Sequence, residues 1–144
     1  MPFVKVMIHA VWGTKSRQSL LIKDIRAFVF KHISENAALK NIYLDCINGA
    51  EDHVHVLFSL NKDLSISKTL QLIKGESSFW INKQDLIKPH FEWADEYYAV
   101  SVSESQLQNV RDYIFKQEEH HKKKTFQQEC EELIKKYGFD KFRG

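Results

Sequence analysis

Glu51-Asp52-His53-Val54-His55-Val56-Leu57-Phe58-Ser59-Leu60 is the stretch on which the fold turns. Val54, Val56, Phe58 and Leu60 fall on one side of it, and His53, His55, Leu57 and Ser59 on the other. A period of two is that of a half-buried strand. The apolar side chains then need a core, and two imidazoles stand at i and i+2 on the opposite face. Side chains so placed can hold one metal ion between them. Taken alone, the pair reads first as a strand with two solvated histidines, because polar residues are ordinary on the open face of an antiparallel sheet. The flanking sequence has to decide.

Immediately upstream, Ile42 to Asn48 reads as a strand, and Gly49-Ala50-Glu51-Asp52 turns it into the histidine strand as a hairpin. Further back, Phe3 to Trp12 alternates, with Val4, Val6, Ile8, Ala10 and Trp12 on one face and Lys5, Met7, His9 and Val11 on the other. A loop, Gly13-Thr14-Lys15-Ser16-Arg17, follows. Leu21 to Ala38 carries Leu21, Ile25, Phe28, Val29, His32 and Ile33 as one helical stripe. Downstream, a helix from about Ser67 to Lys83 places Ile66, Leu70, Ile73 and Ile81 on one face, although Gly75-Glu76-Ser77-Ser78 weakens its middle. Pro89 closes that region, and Tyr97 to Ser103 alternates as a fourth strand. The order βαββαβ predicts an α+β, ferredoxin-like (RRM-like) fold, with one antiparallel sheet and both helices on one face. His53 and His55 then point to the other, open face.

Two capping boxes start the remaining helices. Ser103-x-x-Gln106 opens one that runs to about His120 with Leu107, Val110 and Ile114 as its stripe. Thr125-x-x-Gln128 opens the last, where Phe126, Cys130, Leu133 and Tyr137 share a face. No repeat, low-complexity segment or boundary divides the chain, so residues 1–144 read as a single domain.

Composition agrees with a globular protein: 43% of residues are hydrophobic and 28% charged. A net charge of +2 is too small to identify a nucleic-acid partner by itself. The two cysteines, Cys46 and Cys130, lack CxxC spacing and read as buried thiols in a reducing compartment. Neither a signal peptide nor a membrane span is visible, so the expected location is cytoplasmic, with no membrane partner.

Tyr113 and Gln117 lie four apart and share a helix face. They sit roughly 60° to 100° off the centre of the apolar stripe, by the helical period. A phenol and an amide at that margin can both face a site on the sheet; the blander alternative is an edge tyrosine with its ring buried and its hydroxyl wet. A tyrosine hydroxyl, with a pKa near 10, is a weak nucleophile at neutral pH. It can attack a phosphodiester where a cation polarises the phosphate and stabilises the developing charge. Two imidazoles and one amide oxygen make a three-ligand set with positions left for phosphate and water. The product would be a covalent phosphotyrosine that keeps the bond energy for rejoining.

These motifs resemble the HUH endonuclease superfamily, and most closely the single-tyrosine transposases of the smallest bacterial insertion sequences (the 200/605 type). The resemblance runs over nearly the whole chain. Val11-Trp12-Gly13-Thr14-Lys15-Ser16-Arg17 is similar to the opening strand and basic loop, and Asp52-His53-Val54-His55 to the metal motif. Lys74 to Asn82 resembles the second-helix motif. Phe91-Glu92-Trp93 and Ser101-Val102-Ser103 resemble the flanks of the last strand, and Tyr113 to His121 the nucleophile helix. The resemblance implies that Tyr113 is the nucleophile and that His53, His55 and Gln117 hold Mg²⁺ or Mn²⁺. It implies single-stranded DNA with hairpins as substrate, a 5′-phosphotyrosine intermediate, and a homodimer whose active sites are shared between chains. It also implies work on bacterial nucleoid DNA. Two departures stand out: Asp95-Glu96-Tyr97-Tyr98-Ala99 lacks the glycines the family often has there, and no longer tail follows Gly138.

Lys15, Arg17, Lys68, Lys74 and the run His120-His121-Lys122-Lys123-Lys124 are candidates for DNA phosphate contacts, although cations at a helix C-terminus are also favoured by the macrodipole. Trp80 and Trp93 could stack on bases or simply fill the core. His9 could approach the site, with a spectator role the simpler expectation. Asp52 could orient a ligand histidine or merely belong to the turn. Three other functions compete with transposition. One is a non-catalytic ferredoxin-like module for single-stranded nucleic acid, which would be expected to show aromatics on its open sheet face. The second is a replication or conjugation initiator of the same superfamily, which usually has further domains. The third is a domesticated hairpin-cutting endonuclease.

Overall fold

Four strands, β1 (Met7–Thr14), β2 (Tyr43–Gly49), β3 (His53–Ser59) and β4 (Trp93–Val102), form one antiparallel sheet in the order β2-β3-β1-β4. These come from a computed structural model that describes residues 1–139; the part of the single-domain expectation covering 140–144 lies outside the described residues. Helices α1 (Lys23–Leu39) and α2 (Ile66–Lys83) pack on one face, as the ferredoxin-like order requires. Ile8, Ala10, Trp12, Val54, Val56 and Phe58 meet Val29, Phe30, Ile33, Leu70, Ile73 and Ile81 in the main core. The alternation of β3 therefore divides as its pattern predicts.

Several boundaries differ from the sequence expectation. β1 begins at Met7 rather than Phe3, leaving Val4 and Val6 exposed, and it continues through Gly13 and Thr14. β4 starts at Trp93, earlier than expected, with an irregularity opposite Trp12 and Thr14. In α1 the buried stripe is rotated: Phe30 is inside and Phe28 lies exposed. Gly75 does not interrupt α2, whose buried Leu70, Ile73, Ser77 and Ile81 hold it to the sheet.

The second face of the sheet, expected to be open, is covered. Three further helices, α3 (Leu107–Phe115), α4 (Gln117–Lys123) and α5 (Phe126–Tyr137), lie over it. Met7, Cys46 and Leu57 pack under Leu107 and Ile114, while Val11 packs under Phe126 and Cys130. The Thr125 capping box is formed, but Ser103 makes no side-chain cap; a short 3-10 turn, Glu104–Gln106, precedes α3 instead. The single helix expected through Tyr113 and Gln117 is broken at Lys116. There the side-chain amide of Asn48 on β2 donates to the carbonyls of Ile114 and Phe115 and satisfies the end of α3.

Gly13 admits α5. A Cβ at that position would lie 2.6 Å from the ring of Phe126 and 3.2 Å from the Asp52 carbonyl, so only glycine lets the first turn of α5 seat this deeply. Among the described residues no helix is long and apolar enough to cross a membrane.

Candidate active site

β3 delivers His53 and His55 to the covered face, where both are fully buried. Each ring is held by its Nδ1. For His53 the partner is Asp52 Oδ1 at 2.8 Å, and for His55 it is His9 Nε2 at 2.9 Å. Both Nε2 atoms are thereby presented to one region beneath α3, α4 and α5. Gln117, the first residue of α4 and fully buried, places Oε1 3.1 Å from His53 Nε2. Its orientation is fixed because its amide nitrogen donates to the Tyr113 carbonyl at 3.3 Å.

Tyr113 projects from α3 into the same region, its ring edge-on to those of His9 and His55. Its hydroxyl donates to the carboxylate of Glu129 on α5. Glu129, nearly buried, also approaches both histidines, with Oε1 2.9 Å from His55 Nε2 and Oε2 3.4 Å from His53 Nε2. His55 Nε2 is nevertheless a buried atom with no hydrogen-bond partner, so the carboxylate lies close to it but off the axis along which the ring would donate. Ligand atoms of His53, His55 and Glu129 lie within 4.8 Å of one another, and so do those of Asp52, His53 and His121.

The electrostatics follow from this packing. Burial disfavours a charged His53, but Asp52 and Glu129 outweigh it and push the ring up to about 9. His55 is moved down by burial, and His9 falls to about 3 through burial and the neighbouring His55. For Glu129, burial is outweighed by the two histidines, which hold its carboxyl well below the usual carboxylate range. Burial and the bond to Glu129 hold the Tyr113 hydroxyl above its ordinary value. Beside Tyr113, Glu129 and His9 opens a cavity of about 610 Å³ between β4, α3 and α5.

A phenol, two imidazoles and a carboxamide meeting under a helical cover can be compared with known proteins. The sequence profile described as "Transposase IS200 like" matches residues 3–117. The chain belongs to this transposase family. The match takes in His53, His55, Tyr113 and Gln117 and stops before Glu129. Two solved structures share the fold. A candidate transposase from Deinococcus radiodurans R1 is 21% identical, with a TM-score of 0.65, over 81% of this chain and 93% of that one. A REP-associated tyrosine transposase bound to a REP hairpin is 14% identical, with a TM-score of 0.63, over 84% of this chain and 72% of that one. No curated protein matches the chain.

In this transposase the basic candidates separate into groups. Arg17 lies over the Phe126 ring at 5.4 Å, and that ring stacks on His53. His121 turns inward, half-buried beside Asp52 and His53, with its Nδ1 unpartnered. Lys15 is paired with Glu92 at 2.6 Å, and Lys74 is half-buried and donates to the Ala94 carbonyl; both line a separate cavity with Trp93. Lys68, Lys122 and Lys123 are exposed, whereas Lys124 pairs with Glu132. Of the two candidate tryptophans, one is buried and one half-buried. Trp93 is buried with Nε1 donating to Ser77, and Trp80 is covered by His32 at 3.9 Å.

Two further residues stand at the centre. His9, expected as a spectator, is the hydrogen-bond partner of His55. Glu129 is not among the residues expected from sequence. Its signal was its spacing: three after Phe126 and four before Leu133 puts a carboxylate inside the apolar stripe of α5 rather than on its wet side.

Proposed function

We propose that this transposase cuts and rejoins single-stranded DNA through Tyr113, assisted by a divalent ion held by His53, His55 and Gln117. The observation that carries the reading is convergence: the Tyr113 hydroxyl and both histidine Nε2 atoms meet at one buried locus beside an open cavity. The residues fit such an ion. His55 Nε2 is buried and unpartnered, His53 and His55 are oriented through Nδ1, and the Gln117 oxygen faces them. When bound, Mg²⁺ or Mn²⁺ would polarise the scissile phosphate and stabilise charge developing on it. Tyr113 Oη would form the bond to phosphorus as the bond to the 3′ oxygen breaks. The phenolic proton is lost, the departing strand gains a 3′-hydroxyl, and the other strand stays on Tyr113 through its 5′ phosphate. Rejoining reverses these steps.

Hairpin recognition is supported by the neighbour bound to a REP hairpin. A purely binding module on the histidine face is disfavoured, because α3, α4 and α5 cover the part of that face that carries His53 and His55. The homodimer with shared sites stays a property implied by resemblance. The in-chain contacts of Asn48 and Arg111 with α3 support a site completed within one chain in this state.

The test uses single-stranded hairpin oligonucleotides, taken from any imperfect palindromes that the DNA flanking the gene contains. The parent should form a covalent adduct on a denaturing gel, EDTA should stop it, and Mg²⁺ or Mn²⁺ should restore it. Tyr113→Phe should give no adduct while still binding the hairpin. An adduct formed by the Phe variant, or full activity with no metal bound, would overturn the reading.

A further inference from the structure

We propose that Glu129 is itself a ligand of the divalent ion, supplied by α5, so that it joins His53, His55 and the Gln117 amide oxygen in the donor set. The proposal rests on the metal-assisted reading above and extends it to a residue beyond the family match, which ends at residue 117.

Three observations carry it. The Glu129 carboxylate spans the two imidazoles, one oxygen 2.9 Å from His55 Nε2 and the other 3.4 Å from His53 Nε2. His55 Nε2, fully buried, makes no hydrogen bond to this oxygen despite the short distance. Lone pairs that crowd together without bonding to one another suit a common third partner. Lastly, the nearly buried carboxylate stands with the two imidazoles and the Tyr113 hydroxyl at one point, so the groups that would share a divalent ion are already gathered there. The placement of α5 is tied to the same point: Phe126, seated over Gly13, stacks on His53 with ring centroids 4.3 Å apart. The last helix thus completes the site as well as covering it.

The donor chemistry also bears on the two ions of the proposal. Mg²⁺ prefers oxygen ligands in a strict octahedron and keeps several waters, and the transition-metal ion Mn²⁺ accepts imidazole nitrogen more readily, although imidazole by itself would also suit Zn²⁺. Mn²⁺ should therefore bind more tightly than Mg²⁺.

The alternative is that Glu129 only anchors the Tyr113 hydroxyl. Mn²⁺ titration of the metal-free full chain, followed by the electron paramagnetic resonance of the free ion, separates the two. Glu129→Ala should lower Mn²⁺ affinity at least about tenfold, the lower end of what losing even an outer-shell partner costs. Glu129→Gln, nearly isosteric and still an oxygen donor, should fall between it and the parent, and Tyr113→Phe should match the parent. Circular dichroism and melting confirm that each variant is folded. If both Glu129 variants bind Mn²⁺ as the parent does while His53→Ala abolishes binding, Glu129 is an anchor and the proposal is overturned. If the parent binds no Mn²⁺, the metal-assisted reading itself fails, a distinct result.

Discussion

His9 on β1 and His55 on β3 meet Nε2 to Nδ1 at 2.9 Å, their rings stacked with centroids 5.2 Å apart. Because burial and His55 keep His9 neutral, with a pKa near 3, its Nε2 can accept the proton on His55 Nδ1. That bond selects the His55 tautomer whose Nε2 lone pair is available. Asp52 likewise fixes the orientation of the His53 ring through Nδ1. Replacing His9 by Ala should lower cleavage about 10- to 100-fold at limiting metal, the usual cost of losing such a support. Much of the loss should return at high Mn²⁺. His9→Gln, whose amide oxygen can accept the same bond, should retain more activity. Cleavage rate measured against Mn²⁺ concentration checks this, and an Ala variant with the parent's metal dependence would reduce His9 to packing.

Arg111 of α3 makes a bidentate pair with Asp45 of β2, both distances 2.9 Å. The Arg111 hydrogen bonds hold the Asp45 carboxyl below its ordinary value. A carboxyl depressed in the folded state adds stability above its unfolded pKa, about 3.9, and loses that contribution as pH falls through the folded value. Asp45→Asn should therefore melt below the parent at neutral pH, by about 1 to 3 kcal/mol for charged hydrogen bonds that are partly buried. The gap should hold from neutrality to about pH 4 and close below it. A gap that does not change on acidification would mean that the pair contributes no charge-dependent stability.

The strands and the first two helices were legible because each carries its own period: β3 alternates, and α2 repeats its apolar residues at helical spacing. The meeting of the candidate residues His53, His55, Tyr113 and Gln117 was legible where it followed those periods. What could not be read was contact between separated elements. His9 meets His55 only through the register that sets Val11 opposite His55, and nothing local to β1 encodes that register. Glu129 sits among Glu131, Glu132 and two lysines, so its charge resembled a wet helix face although its spacing did not. The break at Lys116 depends on Asn48, nearly seventy residues upstream, reaching two carbonyls of α3.

Lys122 and Lys123 are exposed on α4, next to the inward-facing His121. If both contact phosphates, replacing them by Ala should weaken binding to every single-stranded sequence alike. The slope of log K against log salt should also flatten, by about 0.7 for each lost contact. Binding measured over a salt series, on hairpin and unstructured oligonucleotides, reads both effects. An unchanged slope would leave these lysines as favourable charges at a helix C-terminus.

Whether one chain or two completes the site turns on how firmly α3 is held to its own sheet. Tyr113 stands against its own chain's histidines, and α3 is fastened there by Arg111 to Asp45 and by Asn48 to the Ile114 and Phe115 carbonyls. These contacts join β2 and α3 of the same chain, so exchanging the helix with a second copy requires breaking all of them. Tyr113→Phe and His53→Ala should each be inactive. Mixed under conditions that exchange subunits, they should remain inactive, because every in-chain site lacks either the nucleophile or a histidine. Sites shared between copies predict otherwise: one site of each mixed dimer would combine a sound tyrosine with sound histidines, and cleavage would reappear. Differently tagged chains confirm that exchange has occurred. Recovered adduct, carried by the chain that retains Tyr113, would show that α3 leaves its own sheet to serve a partner, and that the Asp45–Arg111 pair is a latch rather than a permanent joint.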